Sequence, residues 1–257
     1  MQEHMINKPI PNGAEISWDM VYSTPLIDCG EELVPLSLAP EQMLVRSVYF
    51  EAGLAGALPE CYARVGVRER LVEAAKLLPN YLRFVILDVW RGQQVQKALF
   101  QQCKSALTIS NPNADERKLN IMTQQYVALP SLDMLAPSPH STGGAVDLMI
   151  ATRDGNPMFF GSPFDYPSEI SYTRYFEKKL ENKEDLSKRE NNAMQNRRLL
   201  YNIMKAAGFV NFSCEWWHYE YGTQRWANET NKEHAIYGST SVCLNSFEIF
   251  EKSEHNI

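Results

Sequence analysis

Two short segments of this chain concentrate the residues that could do chemistry. One is Ser138-Pro-His140-Ser-Thr-Gly-Gly-Ala-Val-Asp147, and the other is Glu215-Trp-Trp-His218-Tyr219. The chain has five histidines. His4 and His255 lie near the ends without helpful neighbours, and His234 sits in a polar stretch. That leaves His140 and His218, each accompanied by a carboxylate. Two imidazoles, one aspartate and an open fourth position make a catalytic zinc site, whereas structural zinc is usually closed by four protein ligands. Zinc would lower the pKa of its bound water towards about 7 and polarise a scissile carbonyl. A nearby carboxylate would then take the water's proton and hand it to a leaving amine, and Glu215 is the natural candidate. On spacing alone, a pair of ordinary hydrogen-bonded histidines is an equal alternative, because His and Asp seven apart is a loose pattern.

The spacing sets conditions on the backbone. Residues an odd number apart on a regular strand point to opposite faces. His140 and Asp147 can therefore converge only if the chain turns between them, which Gly143 and Gly144 permit. Glu215 and His218 also differ by an odd number. Either the strand is bulged there, or Glu215 acts from the flank of the metal.

The elements that must position these residues can be read from periodicity. Arg64–Leu78 reads as a helix with Val65, Leu71, Val72, Ala75 and Leu78 near one stripe. Phe84–Trp90 is a short apolar, β-branched run and reads as a buried strand. Gln93–Ala106 reads as a helix, residues 108–114 as a turn-rich loop, and Ala145–Ala151 as a second strand. Arg189–Ala207 carries a clear 3.6-residue stripe, with Gly208 placed to end it. Cys214–Tyr221 is aromatic-rich and reads as a third strand. The first sixty residues are broken by Pro25, Pro35, Pro40 and Pro59. The expectation is an α+β fold, a small central antiparallel sheet carrying the zinc site and flanked by helices. Residues 1–60 are read as an irregular N-terminal segment packed on the core, 61–221 as the catalytic core and 222–257 as a C-terminal extension, one domain overall.

Composition narrows the function classes. The 257 residues are 44% hydrophobic with a formal charge of −6. This is enough for a sizeable core and speaks against nucleic acid as a partner, since phosphate binding needs clustered Lys and Arg. The mixed-sign run Lys178–Glu190 reads as a solvated face. No stretch approaches the roughly 20 apolar residues that span a bilayer, and residues 1–12 lack the basic start and apolar run of a signal peptide. The expectation is a cytoplasmic protein with no membrane partner, and the sequence leaves its oligomeric state unknown. Five cysteines without a CxxC pair argue against a disulfide framework or a cysteine zinc knuckle. Cys214, beside Glu215, reads as a packed thiol.

Together the two loaded segments resemble the D-alanyl-D-alanine dipeptidase family of zinc peptidases, which carries an SxHxxGxAxD segment followed by EWWHY. Gly161-Ser-Pro-Phe-Asp165-Tyr, Asn196-Arg-Arg-Leu and Gly208-Phe209 also look family-like and come in the expected order. The resemblance runs from about Phe84 to Tyr219. It implies one zinc per chain on His140, Asp147 and His218, with Glu215 as base. Arg91, in Asp88-Val-Trp90-Arg91, matches the family's strand-end arginine, which stabilises the transition state or the substrate carboxyl group. Asp165 and Tyr22 match positions that bind the free ammonium of the dipeptide, and Ser138 matches a serine near the substrate backbone. Gly92 stands where the family usually has proline, which leaves the backbone at Arg91 more freedom. The implied activity is zinc-dependent hydrolysis of D-Ala-D-Ala or a related D,D-dipeptide, with zinc-bound water as nucleophile. The alternatives are a D,D- or L,D-carboxypeptidase acting on peptidoglycan stem peptides of the cell wall, and a zinc-stabilised binding module without catalysis. Retention of Glu215 argues against the last, because structural zinc needs no base.

Overall fold

The computed structural model describes residues 2–13, 15–124, 127 and 133–242. Cys243, His255 and the rest of the expected extension from 243 onward lie outside the described residues. In chain order the elements are α1 (Gln2–Asn7), α2 (Trp18–Ser23), β1 (Leu33–Pro35), β2 (Met43–Val45), α3 (Val48–Glu51), β3 (Tyr62–Arg64), α4 (Val65–Ala75), β4 (Leu82–Asp88) and α5 (Gln93–Ser110). They continue with α6 (Glu116–Gln124), β5 (Ala145–Thr152), α7 (Tyr175–Glu181), α8 (Lys188–Ala206), β6 (Val210–Asn211), β7 (His218–Glu220) and α9 (Gln224–Glu229).

Five strands form the central sheet in the order β2-β4-β5-β7-β6. All its pairs are antiparallel except β2 with β4. The fold is α+β, as expected. β4 and β5 are central strands, and their near-continuous apolar runs follow from burial on both faces. On one side Phe84, Ile86, Leu148 and Ile150 pack with Leu199, Leu200 and Ile203 of α8 and with Val67 and Leu71 of α4. α8 begins one residue before the expected start. A capping box sets that boundary: the Ser187 hydroxyl accepts from the Glu190 N–H, and the Glu190 carboxylate accepts from the Ser187 N–H. α5 runs to Ser110, into the segment expected to be a loop.

The proline-broken first sixty residues carry short elements. β1 and β2 have three residues each, too few to show a period. β1 pairs with β3, β2 pairs with β4, and Leu36 and Met43 are fully buried in the main core. At the other end, Trp226 and Tyr237 are buried, and the Arg64 guanidinium donates to the Gly238 carbonyl. Among the described residues Cys29, Cys61, Cys103 and Cys214 are free thiols. No helix of the described residues is long and apolar enough to cross a membrane.

Candidate active site

The sheet lines up three polar residues across neighbouring strands. Asp88 is in register with Asp147, and Asp147 with His218. Cross-strand partners share a face, so Asp147 and His218 converge with no help from a turn. The β4–β5 register shifts between Ile86 and Asp88, and such a bulge re-aims side chains at the end of a pairing.

His140 reaches the same place from outside the sheet. Pro139–Thr142 forms a 3-10 turn that ends at Gly143, whose φ is +71°. A side chain at Gly143 would also strike Leu33, its Cβ lying 2.4 Å from Leu33 Cδ2. At Gly144 a Cβ would lie 2.6 Å from the Tyr221 carbonyl oxygen, so only glycine lets this loop lie against the chain after β7. The two glycines are thus required by a left-handed turn and by a close backbone approach.

His140, Asp147 and His218 are all buried, and their potential ligand atoms lie within 4.8 Å of one another. His140 Nε2 is 3.2 Å from His218 Nδ1 and 3.4 Å from Asp147 Oδ2, and His218 Nδ1 is 2.9 Å from Asp147 Oδ1. The outward nitrogens fix the tautomers. His140 Nδ1 is 2.7 Å from the Val89 carbonyl, which can only accept, so Nδ1 carries the proton and Nε2 turns its lone pair inward. His218 Nε2 donates to Glu220 Oε1 at 3.0 Å, and Nδ1 faces Asp147 Oδ1 at 2.9 Å, where a bound cation would displace the Nδ1 proton and take up its lone pair. Burial alone would drive the His218 imidazole neutral. The carboxylates of Asp147 and Glu220 more than offset this and raise its pKa to about 10, so the pocket calls for a positive charge. Two inward nitrogens and a carboxylate oxygen fit a divalent metal of the zinc type, and the outward hydrogen bonds are those that orient metal-binding histidines.

Glu215 does not belong to the third strand as expected. β7 begins only at His218, and Glu215 lies in the preceding turn. The facing conflict disappears, because Glu215 approaches from the flank with Oε2 3.8 Å from His218 Nδ1. Burial pushes its carboxyl up to about 7, with Asp147 and Asp165 adding to this against the pull of His218. Trp216 and Trp217 hold the turn. Trp216 stacks on Phe160 at 4.2 Å and donates to the Ser162 hydroxyl, and Trp217 meets Phe164 edge-on. Each indole buries on the order of 200 Å², worth several kcal/mol at about 25 cal/mol per Å².

Arg91 lies just past β4, its N–H bonded to the His140 carbonyl. Its guanidinium donates to Asp88 (Nε to Oδ2, 2.9 Å), to Gln96 (2.9 Å) and to the Tyr49 hydroxyl (3.2 Å), and stands 3.6 Å from Asp147 Oδ2. Gly92 has φ −68°, an angle proline would also hold, and the side-chain contacts rather than the ring fix Arg91. Asp165 sits in a loop with φ +56°. Its carboxylate accepts from the Tyr49 hydroxyl at 2.7 Å, and burial first, then Asp147, raises its pKa to about 6 against the hydrogen bond from Tyr49. The Asn196-Arg197-Arg198 segment anchors that loop. Asn196 donates to the Phe159 carbonyl, and buried Arg197 donates to those of Phe160, Ile170 and Tyr172.

Ser138 occupies the N-cap of the 3-10 turn, and its carbonyl accepts from Ser141. Tyr22 is 53% exposed and stacks on Trp18. Its hydroxyl pKa is raised by burial and by the charge of Glu220, but it makes no hydrogen bond to the described members of the cluster. Cys214 is half-buried in the same turn as Glu215, outside any strand. Two residues of the site escape a reading by spacing between known ligands. Glu220 stands two after His218 and so on the same strand face, a signal the sequence did contain. Tyr49 belongs to the proline-broken N-terminal third and carries no comparable signal.

A buried two-histidine, one-aspartate cradle at the end of an α+β sheet, with a free carboxylate beside it, is the arrangement of a metallopeptidase. The chain belongs to the Peptidase_M15 family, described as D-ala-D-ala dipeptidase, whose pattern matches residues 61–237. The match extends the resemblance on both sides: it begins before Phe84 and continues past Tyr221 through α9 to Tyr237. The chain is 32% identical over 224 residues to a D-alanyl-D-alanine dipeptidase of Synechocystis sp., covering 82% of this chain and 90% of that protein. It is 32% identical to one of Escherichia coli, over 54% of this chain and 55% of that protein. It is 34% identical to one of Enterococcus faecalis, over 61% of this chain and 69% of that protein.

Proposed function

We propose that this chain hydrolyses D-Ala-D-Ala or a related D,D-dipeptide with zinc as its metal. The observation that carries the reading is one cluster. A three-donor cradle has a carboxylate on its flank and, within the same cluster, an arginine and an aspartate suited to the two charged ends of a free dipeptide. The relatives named above bear the same activity in their names.

His140, Asp147 and His218 would hold one zinc ion per chain. When bound, zinc supplies Lewis acidity, polarising the scissile carbonyl and acidifying water. Glu215 takes a proton from the attacking water and passes it to the leaving amine. Arg91, permanently charged and forked, pairs with the substrate carboxylate or with the developing oxyanion. Asp165 takes the substrate ammonium, Tyr22 is a second candidate for that role, and Ser138 lies along the substrate backbone. Charge pairing at both ends limits the substrate to two residues. The test is release of free D-alanine from D-Ala-D-Ala by the purified chain. We expect activity that is lost on chelation and restored by zinc. A zinc-loaded, folded chain that leaves D,D-dipeptides intact would overturn the reading.

A further inference from the structure

We infer that Gly238–Thr240, a strap just past the part of the chain that matches the family, positions the turn carrying His140 against the segment carrying Arg91. This rests on the roles given above to His140 and Arg91.

The strap is laid down by pairing between distant segments. The Ala235 N–H donates to the Pro25 carbonyl, and the N–H groups of Ile27 and Cys29 donate to the carbonyls of Ala235 and Ile236. Gly238 is buried, with its N–H on Asp28 Oδ2 at 2.6 Å. Its carbonyl accepts from Arg64 Nη2 at 2.9 Å, and the same guanidinium donates through Nε to the Thr142 carbonyl at 2.7 Å. Arg64 is 2% exposed and paired with Asp28 at 2.7 Å, so it forms a fixed bridge from the strap to the turn of His140.

Thr240 makes a second bridge with its backbone. Its N–H donates to the Ser141 carbonyl at 3.0 Å, and its own carbonyl accepts from Trp90 Nε1 at 2.9 Å. Trp90 precedes Arg91, and Ser141 follows His140. The Arg91 N–H donates to the His140 carbonyl at 3.2 Å, so the two segments are joined twice, once directly and once through Thr240. The last carbonyls of a helical turn find no partner within it. In Pro139–Thr142 those of Ser141 and Thr142 take theirs from the strap and from Arg64. Gly143 and Gly144, which follow, leave the backbone permissive, so the hold on the turn must come from outside it. The aim of His140 Nε2 follows that hold.

The experiment compares full-length wild type, Thr240→Ala, Thr240→Pro, Trp90→Phe and the Thr240→Pro/Trp90→Phe double variant. Thr240→Ala keeps both backbone groups and should match wild type, whereas Thr240→Pro removes the N–H. Three quantities are read: amide exchange of residues 138–144 in the zinc-free protein, zinc affinity by competition with a chromophoric chelator, and the urea midpoint without zinc. We expect Thr240→Pro to speed exchange in 138–144 and to weaken zinc binding roughly twofold to tenfold, the worth of one hydrogen bond, with the urea midpoint nearly kept. Trp90→Phe, whose backbone is intact, should move both in the same direction. The double variant should lose less than the sum, because both changes break one bridge. Unchanged exchange and affinity in Trp90→Phe and in a folded Thr240→Pro, additive losses, or faster exchange spread evenly over the chain would overturn the inference. A wild type that binds no zinc would overturn the ligand reading alone, since the exchange measurement needs no metal and still decides the strap.

Discussion

Replacing Glu220 by Gln tests how the metal cradle is held. Glu220 is 2% exposed and has no direct place among the three ligands. Its Oε1 accepts from His218 Nε2 at 3.0 Å and from Arg225 Nε at 2.9 Å, and its Oε2 accepts from the Thr223 hydroxyl. Glutamine preserves the shape and can still offer one oxygen to His218, but it removes the charge from a buried ion pair. Stripping a partner from such a pair costs roughly 3–5 kcal/mol. Arg225 retains Glu229 at 2.8 Å and the Asn211 carbonyl at 2.8 Å, so we expect a loss nearer about 2 kcal/mol in the metal-free protein. The second effect is on the metal. Outer partners of metal-bound histidines are typically worth about 10–100-fold in affinity. At saturating zinc that removes a further ~1.4–2.7 kcal/mol of stabilisation. The assay is urea unfolding with and without zinc, beside zinc affinity measured by competition with a chromophoric chelator. Zinc affinity within twofold of wild type, together with destabilisation of the metal-free protein, would refute the reasoning. Glu220 would then serve Arg225 alone.

Other substitutions separate the remaining roles. Alanine at His140 or His218 should abolish zinc binding and activity together, since three protein ligands leave little redundancy. Full zinc occupancy by atomic absorption in the double variant would refute the ligand assignment. Glu215→Gln should keep zinc and fold while turnover falls by about 10²–10⁴-fold. Zinc loss in that variant would make Glu215 a ligand instead. Arg91→Lys should be substantially impaired in kcat/KM, because a point charge cannot replace a fork that reaches Asp88, Gln96 and Tyr49 at once. Near-normal kinetics would reduce Arg91 to a bystander.

Much of this was legible in the sequence where a long period or a strict steric demand was at work. The stripe of α8, the apolar runs of β4 and β5, and the glycine pair between His140 and Asp147 all signalled their structures. The boundaries that moved have local causes. Ser187 and Glu190 start α8 through a capping box. The aromatic run Cys214–Tyr221 looked like one strand, but its two tryptophans are buried in a turn and only His218–Glu220 pair in the sheet. Contacts between distant segments were not legible. The parallel pairing of β2 with β4 and the meeting of Tyr49 with Asp165, 116 residues apart, depend on tertiary packing that three- and four-residue elements do not announce. Glu220 lay between these cases, since its two-residue offset from His218 was visible while its partner Arg225 lay beyond the expected end of the core.

The central claim is that the site takes a free dipeptide, with the ammonium paired with Asp165. Acetylating the amine removes the charge and leaves the carboxylate without its partner. Asp165 is exposed in the free protein, so the loss is that of a hydrogen bond to a charged group, about 1.5–3 kcal/mol, or roughly tenfold to a hundredfold in kcat/KM. The deciding measurement is kcat/KM of the wild-type, zinc-loaded protein for D-Ala-D-Ala against N-acetyl-D-Ala-D-Ala. A preference of at least about tenfold for the free dipeptide is expected. Equal values, or a preference for the acetylated form, would contradict the dipeptidase reading and point to a carboxypeptidase whose substrates extend beyond the amino end.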